Sequence, residues 1–226
     1  MKNVMEYVIR RASATPSLLG KWLEPAWRDV PVARIRHFHK KSSCHHPQVE
    51  AKLTYTIEAL HVFFRVQDRY IRSTRTDFQA SVCKDSCVEF FIQPKPDKGY
   101  LNFEINCGGT LLVYYIEDSV RTKDGYRKGQ PLSRDLAQGV RIFHSMPAIV
   151  YPEIAKKRTW FLEYSIPFAL FEALVGRLGV LKGQRWRGNL YKCADESSRP
   201  HWASWAPIGS ELNFHQPKYF APFRFQ

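Results

Sequence analysis

The sequence predicts an all-β fold: a single antiparallel β-sandwich of the immunoglobulin-like or jelly-roll-like kind, carrying one short helix. Three observations lead there. About ten to twelve short runs alternate apolar and polar residues with the period of half-buried strands. Only one segment has helical spacing and helical punctuation. No internal repeat or low-complexity linker divides the 226 residues, so 1–226 is expected to form one domain.

Taken in order, residues 5–10 read as a first strand. Residues 20–27 (GKWLEPAW) read as a loop whose two tryptophans pack against one end of the fold. Residues 32–38 alternate as a short strand. The stretch 39–47 (HKKSSCHHP) is polar; with His37 it gathers His39, His45, His46 and Cys44. Their spacing matches no standard zinc pattern, and a solvated loop is expected there. Residues 49–56 and 59–66 form a hairpin with Leu60, Val62, Phe64 and Val66 on one face. Residues 68–76 then bring Arg69, Arg72 and Arg75 near Tyr70.

The centre of the chain is 84–116. Val88, Phe90 and Ile92 alternate with Glu89, Phe91 and Gln93; Leu101, Phe103, Ile105 and Cys107 alternate with Asn102, Glu104 and Asn106. Two strands joined by turn residues 94–99 follow, with a third strand beyond the Gly108–Gly109 step. A one-residue slip would flip every side chain, so the apolar sets restrict the register. Setting Glu89 opposite Glu104 would place like charges face to face, which is unfavourable. The expected register therefore pairs Glu89 with Asn106, Phe91 with Glu104 and Gln93 with Asn102, leaving 96–99 as the loop. One face is core. The other holds carboxylates and amides around Phe91, which suits either a polyol ligand or plain solvent.

Residues 117–139 are charged and rich in turn formers, and are expected to form an irregular surface excursion. Strands follow at 139–145 and 159–165. Residues 167–175 (PFALFEALV) read as the helix, with Pro at its start and Gly176 just past its end. A strand at 185–193, Trp202 and Trp205, and a closing strand at 218–225 complete the series.

Composition narrows the function. Hydrophobic residues make up 44% of the chain, enough for a sizeable core. No apolar run approaches the roughly 20 residues of a membrane span, so no membrane partner is expected. No signal-peptide h-region is visible at the N-terminus; a trimmed secreted or periplasmic protein would look the same, so localisation stays open. The net charge is +13, but the basic residues are scattered and no RNP-like or zinc-finger pattern accompanies them. Nucleic acid is not an expected partner, whereas anionic glycans remain candidates. The five cysteines include no CxxC pair and read as free, mostly buried thiols. No nucleophile elbow, Walker loop or dinucleotide fingerprint is present, so no catalytic residue is assigned. Asp85, Glu89 and Glu104 are the carboxylates that fall together; glycoside hydrolysis would need one raised pKa among them in an enclosed cleft. Met1, Met5 and Met146 offer no haem-ligand pair. No cofactor or metal is called for: Asp68, Asp77, Asp85, Asp118 and Asp124 show no calcium-loop spacing.

Several stretches together carry a family resemblance. Tyr7-Val8 with Trp22 and Trp27, ALHVFFRVQDRYIRS, KDSCVEFFIQP, GYLNFEINCGGT, TWFLEYSIPF, WRGNLYKCADESSRPHWASWAPI and LNFHQPKYFAPFRF occur in the order seen in family 9 carbohydrate-binding modules. The sequence resembles the stand-alone branch of that family over nearly its whole length. The pairing of D-x-x-V-E-x-F at 85–91 with F-x-I-N at 103–106 is the most specific part. The resemblance implies an antiparallel β-sandwich that binds sugar chains without catalysis, with structural calcium in some members. It implies a slot between two tryptophans, edged by charged and amide groups. Carried over by position, the site glutamate is Glu89 and one tryptophan wall is Trp205. The other wall falls at Cys83, the site arginine at Glu104 and an amide at Trp202, all departures from the pattern. A replacement wall is then to be sought in 68–76 or 117–139.

On this reading the chain binds a polysaccharide or oligosaccharide near Glu89, Arg72, Asn106 and Trp205, with Trp202, Glu104, Asn189 and Lys192 within reach. Trp202 and Trp205 face opposite sides of an extended strand, and Trp205 is taken as the exposed one. Each residue also has a structural reading: Glu89 can pair with Arg72 or Arg75, and Asn106 can cap the Gly108–Gly109 turn. Two other classes stay in view, a glycosidase using paired carboxylates and a ligand-free interaction sandwich with Trp205 in an exposed apolar patch.

Overall fold

A computed structural model describes residues 5–123 and 125–226; Asp124 and Met1 lie outside the described residues. The chain enters along β1 (Tyr7–Arg11), makes the one-turn helix α1 (Pro25–Arg28), and adds β2 (Ala33–Ile35) and β3 (His37–Phe38). A long hairpin follows, β4 (Gln48–Tyr55) and β5 (Ala59–Asp68), then β6 (Ile71–Ser73). The central meander is β7 (Cys87–Gln93), β8 (Tyr100–Asn106), β9 (Leu111–Thr122) and β10 (Gly125–Pro131). After α2 (Arg134–Ala137) come β11 (Arg141–His144), β12 (Val150–Ile154), β13 (Arg158–Pro167) and α3 (Phe168–Val175). The chain closes with β14 (Arg185–Cys193), β15 (Trp202–Ser204) and β16 (Ala221–Phe225).

These strands form the two layers of a sandwich. One layer runs β10-β9-β8-β7-β14-β16, with β15 beside the far half of β14; the other runs β4-β5-β13-β11, with β2 on the β4 edge. The layers are joined through β1. Its first half, Tyr7–Ile9, pairs with Phe223–Phe225 of β16, and Arg10 and Arg11 then pair with Thr54 and Tyr55 of β4. Both pairings are parallel, so the sandwich is not antiparallel throughout as expected. Between the layers, the inward residues of β5, β7, β8, β13, β14 and β16 interlock, among them Phe64, Phe90, Phe103, Trp160, Trp186 and Phe223. Each such side chain contributes roughly 1.5–3 kcal/mol by leaving water. α3 lays Phe171 and Val175 on this core and ends where Gly176 takes a left-handed φ of 74°.

Three expectations need correction. The first is the register of β7 and β8: Glu89 faces Glu104, Phe91 faces Asn102 and Cys87 faces Asn106. The expected register would have put Pro94 inside the ladder opposite Leu101, where its missing N–H cannot be tolerated. The strands instead part at Gln93, and the longer loop is tied by the Gln93 Nε2 to Lys98 carbonyl hydrogen bond of 2.8 Å. Second, the charged stretch 117–139 is not irregular. β9 runs on to Thr122, β10 returns beside it, and α2 follows, so the described residues contain three α-helices and not one. Third, Trp205 is buried. It meets Phe223 at 5.0 Å and Tyr7 edge-on at 6.2 Å, while Trp202 faces the opposite side. No helix among the described residues is long and apolar enough to cross a membrane.

Candidate functional site: a carboxylate-floored cleft

The outer face of β7, β8 and β14 is not a plain wet surface. Its lower part is roofed by residues 208–220. Phe91, Tyr100, Tyr191, Ile208 and Phe220 pack there as a second, smaller core. The roof stops short of the upper part, and an open cleft of about 310 Å³ remains. Glu89, Glu104 and Cys193 lie in its lining, contributed by β7, β8 and β14. Trp202, Asp195, Asn213, Phe214 and His215 also line it, and Arg121 comes from the β9–β10 hairpin. A second recess of about 490 Å³ shares Cys83, Glu104 and Arg121 with the first and extends it over Asn102, Tyr114 and Tyr126.

The two glutamates are there because β7 and β8 pair in the register that places them opposite each other. Burial raises both pKa values. Glu89 is pushed well above the usual carboxylate range by burial and then by the charge of Glu104. Glu104 is pushed up to about 7 by burial, against the pull of the Asn102 amide and of Arg121. The Asn102 Nδ2 donates to Glu104 Oε1 at 2.6 Å, while Asn102 Oδ1 accepts from the Tyr114 N–H at 2.7 Å. The Cys193 thiol donates to Glu89 Oε1 at 3.0 Å. The repulsion that argued against this register is thus relieved by proton uptake, which leaves the pair able to donate as well as accept hydrogen bonds.

The aromatic walls are fixed in place. The Trp202 indole N–H donates to Asp195 Oδ1 at 2.7 Å. Phe214 stacks on Tyr191 at 4.1 Å. His215 hydrogen-bonds the Tyr100 hydroxyl through Nδ1 at 2.9 Å and the Tyr126 hydroxyl through Nε2 at 2.8 Å. Burial and the nearby Arg121 lower its pKa to about 3, so the ring is neutral at ordinary pH. Its 3.9 Å approach to Glu104 is therefore a polar contact and not an ion pair. Arg121 stands over the Tyr126 ring at 3.9 Å and supplies a cation at the rim. Such a set, with aromatic faces, buried carboxyls, an amide and a guanidinium, can stack on the C–H face of a ring and bind its hydroxyls.

Of the residues singled out from sequence, Glu89, Glu104 and Trp202 line this cleft, and Cys83 does too. The others are engaged elsewhere. Asn106 is fully buried; its Nδ2 donates to Asp85 at 3.0 Å and its Oδ1 accepts from Thr110 N–H at 2.9 Å, which closes the turn after β8. Arg72 pairs with Asp85 at 3.4 Å and hydrogen-bonds the Thr74 hydroxyl at 3.2 Å. Asn189 bridges to Ala206, donating to its carbonyl and accepting from its N–H, both at 2.9 Å. Lys192 lies wholly buried, 3.5 Å from the Asp68 carboxylate and donating to the Cys193 carbonyl at 2.8 Å. Burial opposes ionisation of Asp68, but Lys192 and the His45 hydrogen bond hold its pKa at about 2. Of the carboxylates weighed for calcium, Asp85 meets Arg72 and Arg75, and Asp118 meets Arg127.

Sequence reasoning missed Arg121, Asp195, Asn213 and His215. Only Arg121 left a signal, since it lies in 117–139, where a replacement for the absent wall was sought. Arg121 of β9 lines the cleft, and of the two tryptophans Trp202 lines it while Trp205 is buried in the core.

Comparison with known proteins bears on the same question. The model of carbohydrate-binding family 9 matches residues 26–225. A candidate carbohydrate-binding protein from Bacteroides uniformis ATCC 8492 is similar over 99% of this chain and 100% of that one, with TM-score 0.84 and 26% identity. A family 9 carbohydrate-binding module from Caldicellulosiruptor kristjanssonii in complex with glucose superposes with TM-score 0.63 at 13% identity, covering 97% and 95% of the two chains. The module from that organism in complex with cellotriose gives TM-score 0.61 at 14% identity, covering 98% and 94%. At such identities the likeness to these modules speaks for the fold. No curated protein matches the chain.

Proposed function

The chain belongs to carbohydrate-binding family 9, and from that membership we propose that it binds a saccharide, without catalysis, in the cleft lined by Trp202 and His215. The observation that carries the reading is the pinned indole of Trp202 beside a floor of two carboxyls. The ring offers an apolar face to a pyranose, and Glu89 and Glu104 meet its hydroxyls. Arg121 and Asn213 edge the same opening.

The placement of the acids supports the reading without catalysis. Glycosidases flank the scissile bond with two carboxyl groups, one on each side. Glu89 and Glu104 are neighbours on one floor, directly opposite each other on adjacent strands. Burial shifts both toward the neutral form, in which they donate as well as accept hydrogen bonds to sugar hydroxyls.

Affinity-gel retardation and calorimetry with glucose, cellotriose, xylan, mannan and anionic polysaccharides test the proposal. The net charge of +13 is the reason for the anionic set. Retardation or heat from at least one of these, lost in Trp202→Ala, is the expected result. No binding by folded protein to any of them would overturn it.

A further inference from the structure

We propose that Cys87, Glu89 and Cys193 form a binding site for a thiophilic divalent ion such as zinc, set into the floor of the cleft. Cys87 and Cys193 face each other across the β7–β14 ladder, and Glu89 is two residues along from Cys87 on the same side of β7. One ligand atom from each lies within 4.8 Å of the other two. All three residues are buried, at 0%, 1% and 3% exposure. Such convergence of two thiols and a carboxyl is the donor set that borderline-soft ions select, and calcium and magnesium do not.

The dimensions agree. A tetrahedral zinc ion with Zn–S bonds of about 2.3 Å and Zn–O bonds of about 2.0–2.2 Å needs ligand atoms roughly 3.5–3.8 Å apart. The Cys193 Sγ to Glu89 Oε1 distance is 3.0 Å, spanned at present by the thiol hydrogen. Replacing that hydrogen with an ion requires the two atoms to part by less than about 1 Å. Glu89 and Cys193 line the cleft, while Cys87 is outside its lining. An ion therefore has an entry path, and its fourth coordination position faces the cleft. Cys83 and Asp195 line that same opening. Each cysteine that binds gives up its thiol proton to solvent, so the ion is held by two thiolates and one carboxylate.

Cobalt(II) is the probe, added to the full chain under reducing conditions and without sugar. The expected result is one ion per chain with intense thiolate-to-cobalt charge-transfer absorption, displaced by zinc and unaffected by calcium. Cys87→Ser and Cys193→Ser should each remove or strongly weaken that absorption, and Cys44→Ser, at an exposed thiol, should leave it unchanged. If the buried serine variants fail to fold, Glu89→Gln decides. It keeps shape and removes one anionic ligand, and should weaken zinc binding at least tenfold. Absence of the charge-transfer band in folded protein would overturn the proposal. So would its survival in both serine variants, or unchanged zinc affinity in Glu89→Gln. Because no sugar is present, this result and the saccharide result stand or fall separately.

Discussion

Glu104→Gln should stabilise the protein at alkaline pH and leave it unchanged in acid. In the folded chain the Glu104 pKa is raised from 4.5 to about 7, first of all by burial. In the unfolded chain it returns to the ordinary carboxylate range. Between the two values the native state holds a proton that the unfolded state has lost, so stability falls as pH rises through that window. Each pH unit of it is worth about 1.4 kcal/mol, which makes the full cost about 3 kcal/mol above pH 7. Glutamine stays neutral at every pH, and its carbonyl oxygen can still accept the Asn102 hydrogen bond. The variant should therefore match the parent near pH 4 and exceed it by about 2–3 kcal/mol at pH 8. Glu89 shares the direction, and removing the charge opposite it relieves part of its own penalty. Urea unfolding followed by tryptophan fluorescence, at pH 4 to 8 in half-unit steps, measures this. A variant that is no more stable than the parent at pH 8 would refute the account of two buried facing acids.

Other expectations follow from the same geometry. Trp202→Ala should weaken saccharide binding at least tenfold with a smaller change in urea midpoint than a core tryptophan gives, because the ring lines the cleft and is only partly buried. Trp205→Ala should do the reverse, costing about 3–5 kcal/mol of stability, read from the same urea curves. Asp68→Asn strands the buried Lys192 and should cost roughly 3–5 kcal/mol at neutral pH. The Asp68 contribution is present above its unfolded pKa and is lost as pH falls toward its folded value of about 2, so the Asn variant should show a flatter acid limb. Gly188→Ala should fail to give soluble folded protein, since its Cβ would lie 2.2 Å from the Phe91 carbonyl oxygen; expression and size-exclusion profile report it.

Much of the fold could be read from the alternation of apolar residues. The strands at 59–66, 159–165 and 185–193 and the helix before Gly176 all stand where that pattern put them. The family match confirms the resemblance that the ordered stretches suggested. The site was less legible, because its residues come from five distant segments: residue 83, β7–β8, the far end of β9, residues 193–202 and residues 212–215. Local periodicity carries no information on which of these meet. Charge repulsion also misled. In water, facing glutamates repel, but in a buried setting they take up protons, and the absent N–H of Pro94 outweighed the repulsion in choosing the register. The choice between Trp202 and Trp205 had no local signal, since alternation separates two faces without saying which is inside. Asn106, Asn189 and Lys192 illustrate a related point. Polar residues within strands here serve turns, a backbone bridge and a buried ion pair.

The first strand has one further consequence, for force. β1 runs parallel to β16, and the two come from opposite ends of the described chain. A pull applied at residue 7 and at residue 225 acts along the strands in opposite directions. The backbone hydrogen bonds joining Tyr7–Ile9 to Phe223–Phe225 lie across that direction, so they are loaded together and not opened one after another like a zipper. The same strand also grips β4 of the second layer, so the load passes into both sheets at once. A short strand shared between two layers thus acts as a mechanical clamp that resists by shear.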